Sequence, residues 1–250
     1  TSETARKPAL ESQRTFSIVP TWFKTPQKAV AAYVDAAMLH LQQGNIERAK
    51  HNLERAGELN QNNPQLNNAL AYMYSIEGED ARVEEHYLKA LSQDAGFSQA
   101  RNNYANYLFG KQRYQEALEQ LNFALNDYRY PKRYQVFQNK GLCQLRVGDV
   151  QGAEESFKRA LQLNPRLPLS LLELAEIKLH GGDQDAAMSY LEQYKRVGGV
   201  SARYLWLGIQ VQRIVGDGDA LAGYERTLQS LYPDSPEHQA FKSSYGHEGD

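Results

Sequence analysis

Apolar residues recur every three to four positions in segments of a dozen residues or more, and the segments themselves recur along the chain. That spacing places the apolar side chains on one stripe of an α-helix. The small residue packed within every second helix falls at Ala49, Val83, Ala117, Ala153, Ala187 and, less clearly, Leu221, with gaps of 34, 34, 36, 34 and 34 residues. A glycine precedes four of these positions (Gly44, Gly78, Gly148, Gly182). An aromatic residue or leucine follows four residues on (Leu53, Tyr87, Leu121, Phe157, Leu191), and in four units an alanine comes three further on (Ala56, Ala90, Ala124, Ala160). The pattern predicts six pairs of helices. Pro26 opens the first, where its missing N–H costs nothing, and Gly44-Asn45 turns it. Unit three turns at Lys111–Arg113 without a glycine, and Asn126–Arg133 carries the two extra residues of the 36-residue gap. Gly198-Gly199 breaks the chain before a degenerate sixth unit. There Leu207-Gly208 and Tyr224 fit one register, and Leu221 and Pro233 a register shifted by one.

A 34-residue helix–turn–helix period is the spacing of the tetratricopeptide repeat. One such unit cannot bury its own apolar face, so neighbours must stack. The expected fold is all-α, a right-handed superhelical solenoid of about six tetratricopeptide repeats. Residues 1–27 read as a linker or cap segment, 28–236 as the repeat domain and 237–250 as a frayed C-terminal tail. The apolar cluster Phe16–Phe23 is expected to cap the first unit. The chain starts at Thr1 without a Met, which suits a processed or truncated form. A solenoid offers a long concave surface, so the first expectation is a protein that binds another protein.

Composition narrows the classes. With 41% hydrophobic and 23% charged residues the chain can bury a core. A net charge of −2 gives no basic excess to neutralise phosphates, which argues against nucleic-acid binding. The single cysteine, Cys143, excludes an internal disulfide framework and reads as an inert core thiol. No catalytic site is found, and no cofactor is expected. The six histidines lie in different units without a metal-binding pair, and His40 reads as a satisfied buried histidine. Gly216-Asp-Gly-Asp219 and Gly181-Gly-Asp183 fall where the repeat turns and lack the residues of a calcium or phosphate loop.

Three stretches are less generic: Ala100-Arg-Asn-Asn-Tyr-Ala-Asn-Tyr-Leu108; the Tyr130-Pro131 insertion running on to Asn139-Lys-Gly-Leu142; and Gly198-Gly199 with Ser201-Ala-Arg-Tyr-Leu-Trp-Leu-Gly-Ile209, Leu231-Tyr-Pro-Asp-Ser235 and Phe241. In this order and spacing the chain resembles the type IV pilus biogenesis lipoproteins of the PilF/PilW type, over roughly residues 28–242. The resemblance implies a pilotin, a lipid-anchored protein at the periplasmic face of the outer membrane that helps the pilus secretin to localise and multimerise. It also implies pilus secretin subunits as the partner. The chain lacks an N-terminal lipidation cysteine, so either the anchored residue precedes Thr1 or the protein is not a lipoprotein. The polar Thr1–Thr15 run suits a tether, and so the first option. Near-neutral charge suggests a monomer. A scaffold in another envelope or cytosolic complex stays open as the alternative.

Positions 5, 9 and 12 of each first helix face the concave side of this repeat. The expected partner-binding residues are Val34, Met38 and Leu41; Asn68, Tyr72 and Ser75; and Asn102, Asn106 and Phe109. Asn68 and Asn102 could bond a peptide backbone while Tyr72 and Phe109 cover its side chains. The wholly apolar first trio has an equal reading as core. A clamp for an acidic C-terminus is not expected, because Asn102, Leu169 and Glu173 stand where it needs basic residues.

Overall fold

The computed structural model describes residues 25–245, which form thirteen α-helices and divide into two compact units at Ala95/Gly96. The first contains α1 (Pro26–Gln42), α2 (Ile46–Leu59), α3 (Pro64–Glu77) and α4 (Asp80–Gln93). The second contains α5 (Ser98–Gly110), α6 (Tyr114–Leu125), α7 (Arg133–Arg146), α8 (Val150–Leu163) and α9 (Pro168–His180). It continues with α10 (Gln184–Gly198), α11 (Ala202–Val215), α12 (Gly218–Leu231) and α13 (Pro236–Tyr245). The Phe16–Phe23 cluster lies outside the described residues.

Several helix starts carry side-chain caps. The side chains of Thr25, Asn63, Asp149, Asp183, Ser201 and Asp217 each accept a hydrogen bond from a backbone N–H of the first turn that follows. The turns inside five of the pairs place a glycine in the left-handed region: Gly44, Gly78, Gly148, Gly182 and Gly216. In the third pair Gln112 occupies that place, with φ of 61°. A side chain there is strained, because its Cβ crowds the carbonyl. Gln112→Gly is expected to stabilise the second unit by about 1 kcal/mol, read as a higher urea midpoint with an unchanged slope.

In the first unit Val30, Val34, Ala37 and Leu41 of α1 meet Ala49, Leu53 and Ala56 of α2 and Leu66, Ala69 and Met73 of α3. Beside this core runs a polar network. The Asn67 amide, 1% exposed, donates to the carbonyl oxygens of Gln61 (3.1 Å) and Asn63 (3.0 Å) and to Gln93 Oε1 (3.2 Å). Asn67 Oδ1 must then accept, so His86 Nδ1 carries the hydrogen at 2.9 Å. The His86 ring stacks on Tyr74 (5.3 Å between centroids), whose other neighbour is the Arg82 guanidinium at 5.0 Å. Truncating Asn67 to alanine leaves several buried groups unpaired and is expected to cost about 2–3 kcal/mol in chemical denaturation.

Burial, opposed by Glu85, holds His86 below the ordinary histidine pKa. The unfolded chain therefore takes up a proton that the folded chain resists. The stabilisation is complete above a pH of about 6.5 and diminishes as pH falls below it. Between pH 7.5 and 5.5 the denaturation midpoint is expected to fall less in His86→Gln than in the parent.

In two pairs of the second unit a glycine of the first helix packs against an aromatic ring of the second. A Cβ on Gly141 would stand 2.7 Å from the Phe157 ring, and one on Gly208 would stand 2.6 Å from the Tyr224 ring. The sixth pair therefore follows the Gly208–Tyr224 register. The two extra residues of the α6–α7 connection are tied down by Asp127, whose carboxylate accepts from Ser98 Oγ (3.1 Å) and from the Arg129 backbone N–H (3.0 Å).

The frayed tail expected after Pro236 is corrected over Pro236–Tyr245, which is helical, and the rest of it lies outside the described residues. Ser235 Oγ accepts from the His238 N–H at 3.1 Å and starts α13. Phe241 (3% exposed) and His238 (5% exposed) then close over the end of the unit, with Phe241 in one cluster with Leu205, Leu207, Ile209 and Val211 of α11. Burying that end of the repeat stack supplies the physical reason for the helix.

Candidate partner-binding site

The first helices of successive pairs, α5, α7, α9 and α11, are joined in the second unit by side chains that reach across from one to the next. Asn139 Nδ2 of α7 donates to Asn102 Oδ1 of α5 at 2.9 Å, and Ser170 Oγ of α9 donates to Gln138 Oε1 of α7 at 3.0 Å. Arg203 of α11 forks onto two α9 carboxylates, Glu173 at 2.7 Å and Glu176. Burial works against the Arg203 charge, but the hydrogen bonds to Glu173 and Glu176 outweigh it and raise its pKa. The guanidinium is thus fixed and charged at any working pH.

Beside this seam opens a groove of about 1010 Å³. Leu145, Val150 and Ile177 give it apolar wall, and Arg146, Glu154, Glu173, Glu176, Lys178, Asp183 and Arg203 bring both signs of charge. Glu154 bridges Lys158 (2.5 Å) and Lys178 (2.6 Å). Hydrogen bonds from these lysines, Lys158 first, hold its carboxyl below the usual range. Paired charges of both signs around a small apolar floor suit recognition of a complementary polypeptide segment, where charge sets register and apolar contact supplies affinity.

The nine residues expected from the sequence separate into distinct roles. Val34 and Leu41 are buried in the first unit's core, with Met38 and Tyr72 packed half-buried against the same cluster. That corrects the surface reading of Val34 and Leu41, whose side chains are covered by α2 and α3. Asn68 is buried too, and the Ser75 hydroxyl donates to the Tyr72 carbonyl of its own helix at 2.6 Å. In the second unit Asn102 is 4% exposed with its carbonyl oxygen taken by Asn139, which corrects its reading as a free backbone ligand. Asn106 is exposed, and Phe109 is half-buried between the Tyr114 ring edge (5.3 Å) and the Arg146 guanidinium (5.7 Å). Gln138, Ser170, Glu176 and Arg203 escaped the reading, and Glu173 entered it only as evidence against a clamp. Carrying positions 5 and 9 on into units four and five reaches Gln138 and Glu176, whereas Arg203 shows itself only through its partners.

Other chemistry is quiet. Cys143 is 1% exposed, and burial pushes its thiol up to about 11. It is a packing residue, without the thiolate that reactivity needs. His40 Nδ1 is buried with no hydrogen-bond partner among the described residues, which corrects its reading as a satisfied histidine. Among the described residues no helix is long and apolar enough to cross a membrane.

Paired helices with a glycine turn, a small residue in every second helix and a ring packed on a first-helix glycine define a tetratricopeptide-repeat protein. Models of the tetratricopeptide repeat match residues 30–63 and 139–199. The type IV pilus assembly protein PilF of Pseudomonas aeruginosa is 35% identical over 220 residues, covering 88% of this chain and 87% of that protein. The solved structure of Pseudomonas aeruginosa PilF superposes with a TM-score of 0.83, covering 88% of this chain and 99% of the other. The structure of PilW, a widely conserved type IV pilus biogenesis factor, superposes with a TM-score of 0.75 at 28% identity, covering 86% and 98%. An uncharacterized protein of Haemophilus influenzae is 26% identical over 138 residues, covering 55% of this chain and 77% of the other. The chain belongs to the PilF/PilW family of type IV pilus biogenesis proteins.

Proposed function

We infer that this protein is a non-enzymatic pilotin: it binds subunits of the type IV pilus secretin and promotes their localisation and multimerisation at the outer membrane. It works at the periplasmic face of the outer membrane as a monomer, held there by an N-terminal lipid. The observation that carries the reading is the groove beside Glu173, Glu176 and Arg203, in a chain of this family. The groove offers a fixed pattern of charge around an apolar floor, a means of holding one segment of a client without changing it chemically.

The test is capture of purified secretin subunits by the chain. Val150 is half exposed on the groove wall, so Val150→Glu is expected to weaken capture about tenfold or more with melting temperature unchanged. Undiminished capture by this variant would remove the groove from the reading. Absence of capture by the parent would remove the secretin.

A further inference from the structure

Consecutive helices joined by short connections pack antiparallel. Within the second unit α6 through α11 pack in that order, each against the next. The connections α6–α7, α8–α9 and α10–α11 therefore emerge along one edge, opposite the turns inside the pairs. That edge gathers cations: Arg129, Lys132 and Arg133 on the first connection, Arg166 on the second, Lys195 and Arg196 at the third. Across residues 126–132, 164–167 and 199–201 the one acid is Asp127, and its carboxylate is already engaged by Ser98 and by the Arg129 N–H; the α12–α13 connection, whose Tyr232 hydroxyl donates to the Val200 carbonyl at 2.7 Å, adds only Asp234 against the six cations. Among the described residues none of the six cations forms an ion pair.

Helix stability does not account for the placement. Lys132 and Arg133 stand at the start of α7 and Arg166 just ahead of α9, where the helix dipole disfavours positive charge; neither helix has an acid in its first turn. Only Lys195 and Arg196, in the last turn of α10, suit their helix. Each connection also exposes an apolar side chain beside its cations. Tyr128 is 81% exposed, with the Arg133 guanidinium over its ring at 4.9 Å; Leu163 is 44% exposed and Val200 39%.

We propose that this edge of the second unit lies directly against an anionic phospholipid surface. The cations take the headgroup phosphates, while Tyr128, Leu163 and Val200 enter the boundary between headgroups and acyl chains. The apolar members favour lipid over a soluble polyanion. Long cationic side chains reach phosphates while an apolar group beside them leaves water, whereas a nucleic acid or an acidic polypeptide gives Leu163 and Val200 no apolar phase to enter. This contact is independent of any covalent lipid and of the groove's client, and it orients the unit with its pair turns away from the bilayer.

The experiment is sedimentation of the chain with vesicles of phosphatidylglycerol and phosphatidylethanolamine, compared with vesicles of phosphatidylcholine alone. Binding is expected to the anionic vesicles only and to fall as salt rises. The triple variant Arg129→Glu, Arg166→Glu, Arg196→Glu changes exposed side chains and is expected to bind at least about tenfold more weakly, with circular dichroism and melting temperature unchanged. Leu163→Ser with Val200→Ser is expected to weaken binding while keeping its salt sensitivity. No binding to anionic vesicles, equal binding to neutral ones, or undiminished binding by the triple variant overturns the proposal. So does capture of poly-glutamate or duplex DNA by the same cations without vesicle binding, which would assign the edge to a soluble polyanion.

Discussion

Phe157→Ala is expected to lower the stability of the second unit by about 3–5 kcal/mol, the cost of removing a buried ring whose surroundings relax only in part. Phe157 is fully buried, packs with Ala153 and Leu174, and lies against Gly141. The same contact can be attacked from the other side. Gly141→Val would drive its Cβ, and two further carbons, into a ring that has no room to retreat, since the first added atom already falls at 2.7 Å. Overpacking of this kind typically costs about 1–3 kcal/mol, more where the neighbours cannot shift. The double variant Gly141→Ala, Phe157→Leu should recover part of the loss, because the smaller side chain makes space for the methyl group. Urea denaturation of the parent, Gly141→Ala, Phe157→Leu and the double variant measures the coupling. Strict additivity would show that the two residues do not share a contact.

Removal of α13 is the second large effect. Phe241→Ala is expected to cost about 3 kcal/mol or more, and a chain ending at Ser235 should lose that and expose the α11 residues beneath it. The ring is 3% exposed and stacks with His238 at 6.0 Å. The Arg213 guanidinium lies 5.7 Å from the same ring, and Arg213 Nη1 donates to Ser244 Oγ at 2.8 Å. One helix thus closes the apolar end of the second unit and gives Arg213 two partners besides Glu225 and the Trp206 ring. Increased dye binding to exposed apolar surface, with a lowered melting temperature, is the expected outcome for the truncated chain. A truncated chain as stable as the parent would show that α13 rests on the unit without supporting it.

These effects also mark where the sequence could be read and where it could not. The Gly141–Phe157 contact is visible in the one-dimensional pattern, because a first-helix position and a second-helix position recur at fixed distance in every unit. Gln112 was visible only as a missing glycine; its left-handed backbone follows from the turn that its neighbours share. The C-terminal helix was harder. Pro236–Tyr245 has few apolar residues, so no hydrophobic period announces it. The signals present were Ser235 followed by Pro236, a helix start, and His238 with Phe241 three residues on, sharing a face.

None of the nine residues expected from the repeat positions lines the groove, for a related reason. A generic repeat position states which way a side chain points, not what meets it there. Val34 and Leu41 point where the register says and are met by α2 and α3, so they became core. Asn102 points towards the next helix and is met by Asn139. The fork of Arg203 onto Glu173 and Glu176 joins residues 30 and 27 positions apart. Spacing within a unit cannot indicate a pairing between units, because it depends on how closely α9 and α11 approach.

The charged groove beside the first helices of the second unit is the feature on which the proposed assembly function rests. The proposed contribution is to hold a client subunit in one orientation until the next subunit arrives. The most direct test compares the pilus secretin in cells with and without this gene, in fractionated membranes, on gels that preserve detergent-resistant multimers. Multimers lost, with monomer found away from the outer membrane, and both restored by the parent gene but not by Val150→Glu, is the predicted result. Multimers of unchanged amount and location in cells lacking the gene would contradict the pilotin function outright.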